Sequence, residues 1–254
     1  MPDRLSRPEL LFFGDSHGDF EAVAAAVEAL SPKAIVLLGD LQPLRPLHLE
    51  LAAIALQTEV WFIHGNHDTD SDADFDNLFG SELAHRNLHG RVETISGYRV
   101  AGLGGIFRDK VWDPNLPMEQ AKFRSAEAMH MHARRGPSAS DGDPRTTWRG
   151  GFTRKHHSSI FPEDYERMQT QRADILVSHE APSAHRHGFS AIDSLAIQMG
   201  CVLVVHGHHH EDIDYRSQKL MPADSPFEAF GVDKGSFLSW PPRADGPFRR
   251  IERR

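Results

Sequence analysis

Leu11-Phe12-Phe13-Gly14-Asp15-Ser16-His17-Gly18-Asp19 is an apolar run that ends abruptly in carboxylates, an imidazole and glycines. The apolar part reads as a short buried strand, and the glycines as the tight turn that follows it. Asp15 and His17 therefore fall at the strand's carboxyl end. In an open α/β sheet that rim is where ligands bind, because side chains leaving several strand ends converge there without disturbing the packed core. A carboxylate oxygen and a neutral imidazole can both reach one divalent ion, so the pair suits a metal site.

The same pattern repeats outward from this stretch. Phe20, Val23, Ala24, Val27 and Leu30 recur at helical spacing, with Asp19 placed to cap the first turn and Ser31-Pro32 to stop it. Ala34 to Leu38 is a second apolar run, ending in Gly39-Asp40. A helix is predicted through Leu47 to Leu56, and a third run, Val60 to Ile63, ends in His64-Gly65-Asn66-His67-Asp68. Three strands separated by helices imply a βαβαβ unit with a parallel sheet, so the three polar clusters should share one rim.

Further on, Arg91 to Ser96 and Tyr98 to Leu103 read as strands around Gly97, and Asp174 to Val177 as a strand ending in Ser178-His179-Glu180. Cys201 to Val205 ends in His206-Gly207-His208-His209-His210, and Phe227 to Val232 and Ser236 to Trp240 read as late strands. Between them, from Arg108 to about Arg172, the chain turns polar and mixed in charge. Helices are predicted around Met118 to Ala133 and Pro162 to Gln171, flanking a Gly/Pro/Ser/Asp-rich middle with Arg134-Arg135 at its start. This segment is expected to be an insertion over the rim, a candidate lid.

Composition narrows the function classes. A length of 254 residues suffices for one large single-core domain. The net charge of −8 argues against a general nucleic-acid binder, whose footprint is basic. It leaves small phosphorylated ligands open, since bound metal ions supply local positive charge. The single cysteine, Cys201, lies in an apolar run and reads as a buried, inert thiol in a reducing compartment. No apolar run approaches the roughly 20 residues that span a bilayer, and Met1 to Arg7 has no apolar signal region. A cytoplasmic protein without membrane partners is the expectation. The 17 histidines are the oddity, because many stand at the ends of apolar runs.

Taken in order, Asp15-x-His17, Gly39-Asp40, Gly65-Asn66-His67-Asp68, His179 and Gly207-His208-x-His210 closely resemble the calcineurin-like metallophosphoesterase superfamily. The resemblance covers about Leu10 to His210, with the insertion outside it. It implies an α/β fold: a four-layer αββα sandwich of two mixed sheets with outer helices. The whole, 1–254, would be a single domain, with the insertion at about 108–172 over the active-site rim. Two divalent ions about 3.5–4 Å apart need a carboxylate to bridge them, and Asp40 is the candidate. By resemblance, Asp15, His17 and His210 would hold the first metal, and Asn66, His179 and His208 the second. The mixed oxygen and nitrogen donors favour manganese and tolerate iron, zinc, cobalt or nickel.

The resemblance further implies hydrolysis of a phosphomonoester or phosphodiester by in-line attack of a hydroxide bridging the metals. His67 would stand beside the metals, contacting a phosphate oxygen or protonating the leaving group. Asp68 reads either as an orienting partner of His67 or as a structural residue behind the site. With Asp40 and Asn66, His67 completes the expected catalytic set, and Asn66, His67 and Arg108 the expected substrate contacts. For Arg108 the blander reading is a solvated arginine. The other histidines, among them His48, His64, His85, His89, His130, His132, His185 and His187, read as core or surface residues, and His209 as turned away from the metals. His156-His157 reads either as a lid contact or as part of a basic loop.

The family's serine/threonine phosphoprotein phosphatases carry a longer second motif, whose second Asp supports the catalytic His. Here Pro43 stands at that place, in Gly39-Asp40-Leu41-Gln42-Pro43-Leu44-Arg45. The third motif is Gly-Asn-His-Asp rather than Gly-Asn-His-Glu. Both departures favour a small phosphorylated metabolite or nucleotide as substrate over a phosphoprotein. The alternatives are that phosphatase activity, a nuclease, which the acidic balance disfavours, and a non-catalytic scaffold of the same fold, which would not need the complete ligand set.

Overall fold

In the computed structural model, residues 9–135, 148–243 and 246–249 are described. Their elements follow in chain order. The first half runs β1 (Leu10–Phe13), α1 (Glu21–Leu30), β2 (Ala34–Leu38), α2 (Leu47–Glu50), α3 (Ala52–Ala55), β3 (Glu59–Ile63) and α4 (Asp72–Phe79). Next come β4 (Arg91–Ile95), β5 (Tyr98–Leu103), α5 (Ala126–Arg135), α6 (Pro162–Gln169), β6 (Ile175–Ser178), α7 (Ser190–Met199) and β7 (Leu203–His206). The chain ends with β8 (Ile213–Asp214), β9 (Glu228–Gly231), β10 (Phe237–Arg243) and β11 (Gly246–Arg249).

Side-chain alternation decides the layering. On β1, Leu10 and Phe12 point to one face of the sheet while Leu11 and Phe13 point to the other. The first pair joins Val36, Leu38 and Ile63 against Ile175, Val177, Leu203 and Val205 of a second sheet, making an apolar seam between two sheets. Leu11 and Phe13 pack outward with Ile35 and Leu37 on Val23, Val27, Leu47, Ile54 and Leu78 from the helices of the first half. The outer face of the second sheet, through Leu176 and Val204, is covered by Tyr165, Met168, Ile192 and Leu195 of α6 and α7. The strands are apolar on both faces because both faces are buried, and the result is helix, sheet, sheet, helix.

The first sheet has the order β11-β10-β1-β2-β3, the second β4-β5-β6-β7-β9-β8. Strands β1, β2 and β3 are parallel and in register, Leu10 against Ala34 and Ala34 against Glu59. Strands β5, β6, β7 and β9 are likewise parallel. Antiparallel edges make both sheets mixed: β10 on β1, and β4 and β8 on the second sheet. The carboxyl ends of β1, β2 and β3 thus meet those of β6 and β7 across the seam.

Two predicted helices differ. The 47–56 helix is interrupted at Leu51, whose φ of −100° and ψ of 10° leave the helical basin. The break keeps Leu47, Leu51 and Ile54 all on the sheet. From Met118 only one 3₁₀ turn forms, to Gln120. The amides of Lys122 and Phe123 then donate to the Val111 carbonyl, so the chain folds back and becomes helical only at Ala126. The 108–172 segment does not simply overlie the rim. Val111, Trp112, Ile160, Phe161, Tyr165 and Met168 are buried in the outer layer of the second sheet. Its 148–158 part reaches α4, where Arg149 forms a two-pronged ion pair with Asp76. The Arg134-Arg135 side chains, the Gly/Pro/Ser-rich stretch after them and the tail from 250 onward lie outside the described residues. Among the described residues, no helix is long and apolar enough to cross a membrane.

One buried polar pair tests the second sheet. His206 gives its Nδ1–H to the Gly207 carbonyl, so its Nε2 accepts from the Tyr215 hydroxyl at 2.8 Å, with both residues buried. Tyr215→Phe leaves that nitrogen unsatisfied and is expected to cost about 1–3 kcal/mol. Thermal unfolding should show it as a fall of about 2–4 °C per kcal/mol in a chain of this size.

Candidate metal centre

The backbone at the strand ends is bent by force. His17, Asp40, Gln42, His208 and His210 all hold positive φ, between 41° and 70°. Each such non-glycine residue costs on the order of 1–2 kcal/mol, and a concentration of them marks a place where geometry is selected over stability. The bends turn the side chains inward. Asp15, Asp40 and His179 form a buried floor, at 0%, 1% and 0% exposure. The side chains of His67 and His210, at 46% and 43%, stand at an open mouth.

The contacts fall into two groups. His210 Nε2 lies 3.2 Å from Asp15 Oδ2 and 3.2 Å from His17 Nε2. On the other side, His179 Nε2 lies 3.3 Å from Asp40 Oδ2 and 3.2 Å from Asn66 Oδ1. His208 joins the second group, since it, Asp40 and His179 offer ligand atoms within 4.8 Å of one another. Asp40 also accepts the His67 amide at 2.7 Å, and Asp15 the His208 amide at 2.8 Å. Eight of the nine residues singled out from the sequence are thus brought together. Arg108 is not in contact with them; it is half-buried, its Nε lacks a hydrogen-bond partner, and it lies within electrostatic range of Asp70 and Glu180. The chain folds back at an Arg108 to Trp112 bridge, which places the side chain partly under the surface.

Hydrogen bonds behind the rings fix the tautomers. His179 donates Nδ1–H to the Leu38 carbonyl at 2.8 Å, and His17 donates Nδ1–H to Gln42 Oε1 at 2.7 Å. Both rings then present a bare Nε2 inward, the orientation a metal ligand requires. Two lone pairs or oxygens facing each other at 3.2 Å repel unless a cation or a proton lies between them. Asp15 Oδ1, buried and without a hydrogen-bond partner, adds a further uncompensated acceptor. The residues therefore fit divalent cations on the chemistry of their donors.

The electrostatics express the same crowding of acceptors. Burial opposes charge on His179, yet the carboxylates of Asp40 and Asp15 outweigh it and push the ring up to about 10. Burial likewise opposes charge on Asp40, and His179 nevertheless holds it well below the usual carboxylate range. His208 is brought down to about 4 by burial and by the charge on His179. For His67, burial is outweighed by its hydrogen bond to Asp70 and by the nearby carboxylates, which raise it.

Of the two readings of Asp68, the structural one holds. Its carboxylate accepts the amides of Leu41, Gln42 and Gly65 at 2.7–2.8 Å and ties the second and third strand ends together. Burial and Asp40 push it up to about 7 against the amides of Gln42 and Gly65. The partner of His67 is Asp70, whose Oδ2 lies 2.5 Å from Nδ1. Asp70 and Gln42 are the residues that sequence reasoning missed. The i, i+3 spacing of His67 and Asp70 was the available signal, since it places both on one face of the 3₁₀ turn His67–Thr69. His156 is buried on Ser159, and His157 packs among Phe75, Trp148 and Phe152. His209 stacks on His185 at 3.9 Å.

Two mixed sheets under helices, with a carboxylate and histidine cluster at the facing strand ends, define the class of a metallophosphoesterase sandwich. The profile of the calcineurin-like phosphoesterase family matches residues 9–212, and the chain belongs to that family. An uncharacterized protein of Haemophilus influenzae is 42% identical over 210 residues, spanning 82% of this chain and 86% of its own. The crystal structure of TT1561 of Thermus thermophilus shares the fold at 17% identity and a TM-score of 0.51, covering 92% of this chain and 94% of that one. A second solved structure, 11% identical, superposes with a TM-score of 0.53 over 95% and 98% of the two chains.

Proposed function

We propose that the chain is a phosphoesterase dependent on two divalent metal ions, manganese foremost, hydrolysing a phosphomonoester or phosphodiester of a small metabolite or nucleotide. The observation that carries this reading is the pair of donor groups meeting over one buried floor. Asp15, His17 and His210 would hold one ion, Asn66, His179 and His208 the other, with Asp40 shared. Bound there, such ions withdraw charge from the phosphoryl oxygens and make hydroxide available near neutral pH.

The chain's own groups do the rest. Asn66 supplies a neutral amide oxygen, which limits the negative charge that an incoming phosphate meets. His67, half-exposed at the mouth, is placed to give a proton to the departing oxygen. Arg108, within electrostatic range of Asp70 and Glu180, is the proposed cationic contact for substrate. Cys201, buried and the chain's one cysteine, supports a reducing cytoplasmic setting.

Purified protein with added manganese is expected to hydrolyse p-nitrophenyl phosphate or bis(p-nitrophenyl) phosphate, and a chelator should abolish the turnover. Absence of metal-dependent hydrolysis of either ester overturns the reading.

A further inference from the structure

We propose that Asp70 and Arg154 are positioning residues that hold His67 as a proton donor, so that the 148–158 segment of the insertion works on the reaction from outside the mouth. The inference rests on the proposed phosphoesterase reading and names how its acid is kept in place.

The geometry forms a short chain of contacts. His67 gives Nδ1–H to Asp70 Oδ2 at 2.5 Å, which leaves Nε2 as the nitrogen that carries a transferable proton. Both side chains are about half exposed, at 46% and 54%, so the pair needs outside support to keep one geometry. Arg154 provides it. Its Nε donates to the Thr69 carbonyl at 3.0 Å and its Nη2 to the Asp70 carbonyl at 2.5 Å, while Nη1 pairs with Asp72. Ser158 adds a hydroxyl contact to Thr69 at 2.8 Å, and Thr69 donates to the Asn66 carbonyl at 3.2 Å. The turn from Asn66 to Asp70 is thus gripped by residues more than eighty positions away in sequence. A planar guanidinium with fixed donors suits this, since it can hold two carbonyls and a carboxylate at once.

The step it supports balances simply. As the bond from phosphorus to the leaving oxygen breaks, its electron pair goes to that oxygen, which takes the proton from His67 Nε2. The ring, an imidazolium before the transfer, becomes neutral with Nδ1–H still on Asp70, and a proton from solvent then restores Nε2–H. Without the carboxylate, the ring is free to rotate or to place its proton on the wrong nitrogen, as in other histidine and aspartate pairs.

A leaving group that departs readily as an anion needs no proton, whereas an alkoxide does. The test is therefore a comparison of a p-nitrophenyl ester with a benzyl ester of the same phosphoryl group, in manganese-loaded wild type and variants. Asp70→Asn is expected to lower kcat for the benzyl ester by about 10²-fold, with under about threefold change for the p-nitrophenyl ester. KM and metal content should stay unchanged, Asp70→Glu should restore part of the loss, and Arg154→Met should show the same selectivity at about tenfold. Equal losses on both esters, or none, overturn the proposal while leaving the phosphoesterase reading intact; an inactive wild type overturns both. Independently of turnover, zinc-loaded protein should show a strongly deshielded His67 Nδ1–H proton signal that disappears in Asp70→Asn. Its absence from wild type overturns the proposal.

Discussion

Asp40→Asn protein, loaded with manganese, is expected to lose about 10³-fold or more in kcat and to retain less than the wild-type complement of metal. On the proposed reading Asp40 is the one ligand common to both ions, and several kcal/mol of transition-state stabilisation depends on them. About 4 kcal/mol corresponds to three powers of ten in rate. The choice of asparagine matters because Asp40 holds a φ of 48°. Asn is among the non-glycine residues that tolerate this region best, so the substitution removes the charge with little added backbone strain. It also keeps an oxygen able to accept the His67 amide, which Asp40 now binds at 2.7 Å. The measurement is metal content by elemental analysis beside steady-state kinetics. Full metal content together with unimpaired turnover would remove Asp40 from the centre and with it the shared-ligand arrangement.

The second large effect concerns a residue with no functional group at all. Gly65 has ordinary backbone angles, yet a Cβ there would lie 2.2 Å from Asp40 Oδ1, 2.4 Å from the Asp40 amide nitrogen and 2.6 Å from His179 Cε1. Two of the three obstacles are the buried floor of the centre and the third is backbone, so none can yield cheaply. Gly65→Ala is expected to destabilise by about 3 kcal/mol, the upper end of ordinary overpacking. That is a fall of roughly 6–12 °C in Tm for a chain of this size. Because the displaced groups are the site's own, activity should fall with stability even at temperatures where the variant is folded. An alanine variant with native Tm and native turnover would show that the strand ends do not approach as closely as described.

Much of this was legible in the sequence, for a local reason. Apolar runs followed by Gly, Asp, Asn and His locate β1, β2, β3, β6 and β7 within a residue or two, because a strand buried on both faces needs no alternation to be recognised. The turn at Gly97 was equally plain, although it also takes in Ser96, and both residues adopt positive φ in a tight hairpin. What the runs did not reveal was spatial. Nothing in Asp68 and Asp70 distinguishes the carboxylate that braces three amides from the one that orients His67; the 3₁₀ turn decides, by turning one inward and the other toward the ring. Leu51 and Val111 show the same limit, since helical continuity yields to burial at the first and to capture of two amides by a distant carbonyl at the second. Arg154 meets carbonyls more than eighty positions away, and so no window along the sequence contains the contact.

The seam between the sheets carries a consequence for how the molecule assembles. Asp15, His17, Asp40 and Asn66 belong to strand ends of the first sheet, and His179, His208 and His210 to strand ends of the second. Each half alone holds only part of the donor set, so the centre exists only once the two halves of the chain have docked face to face. Contacts of such long sequence separation form late, because the loop between them must be closed first. Ions bound there would act as a clasp across the seam, favouring the docked state in proportion to their concentration. Cation affinity and completion of folding are then one equilibrium seen from two sides, and a newly made chain would become competent at the moment it closes.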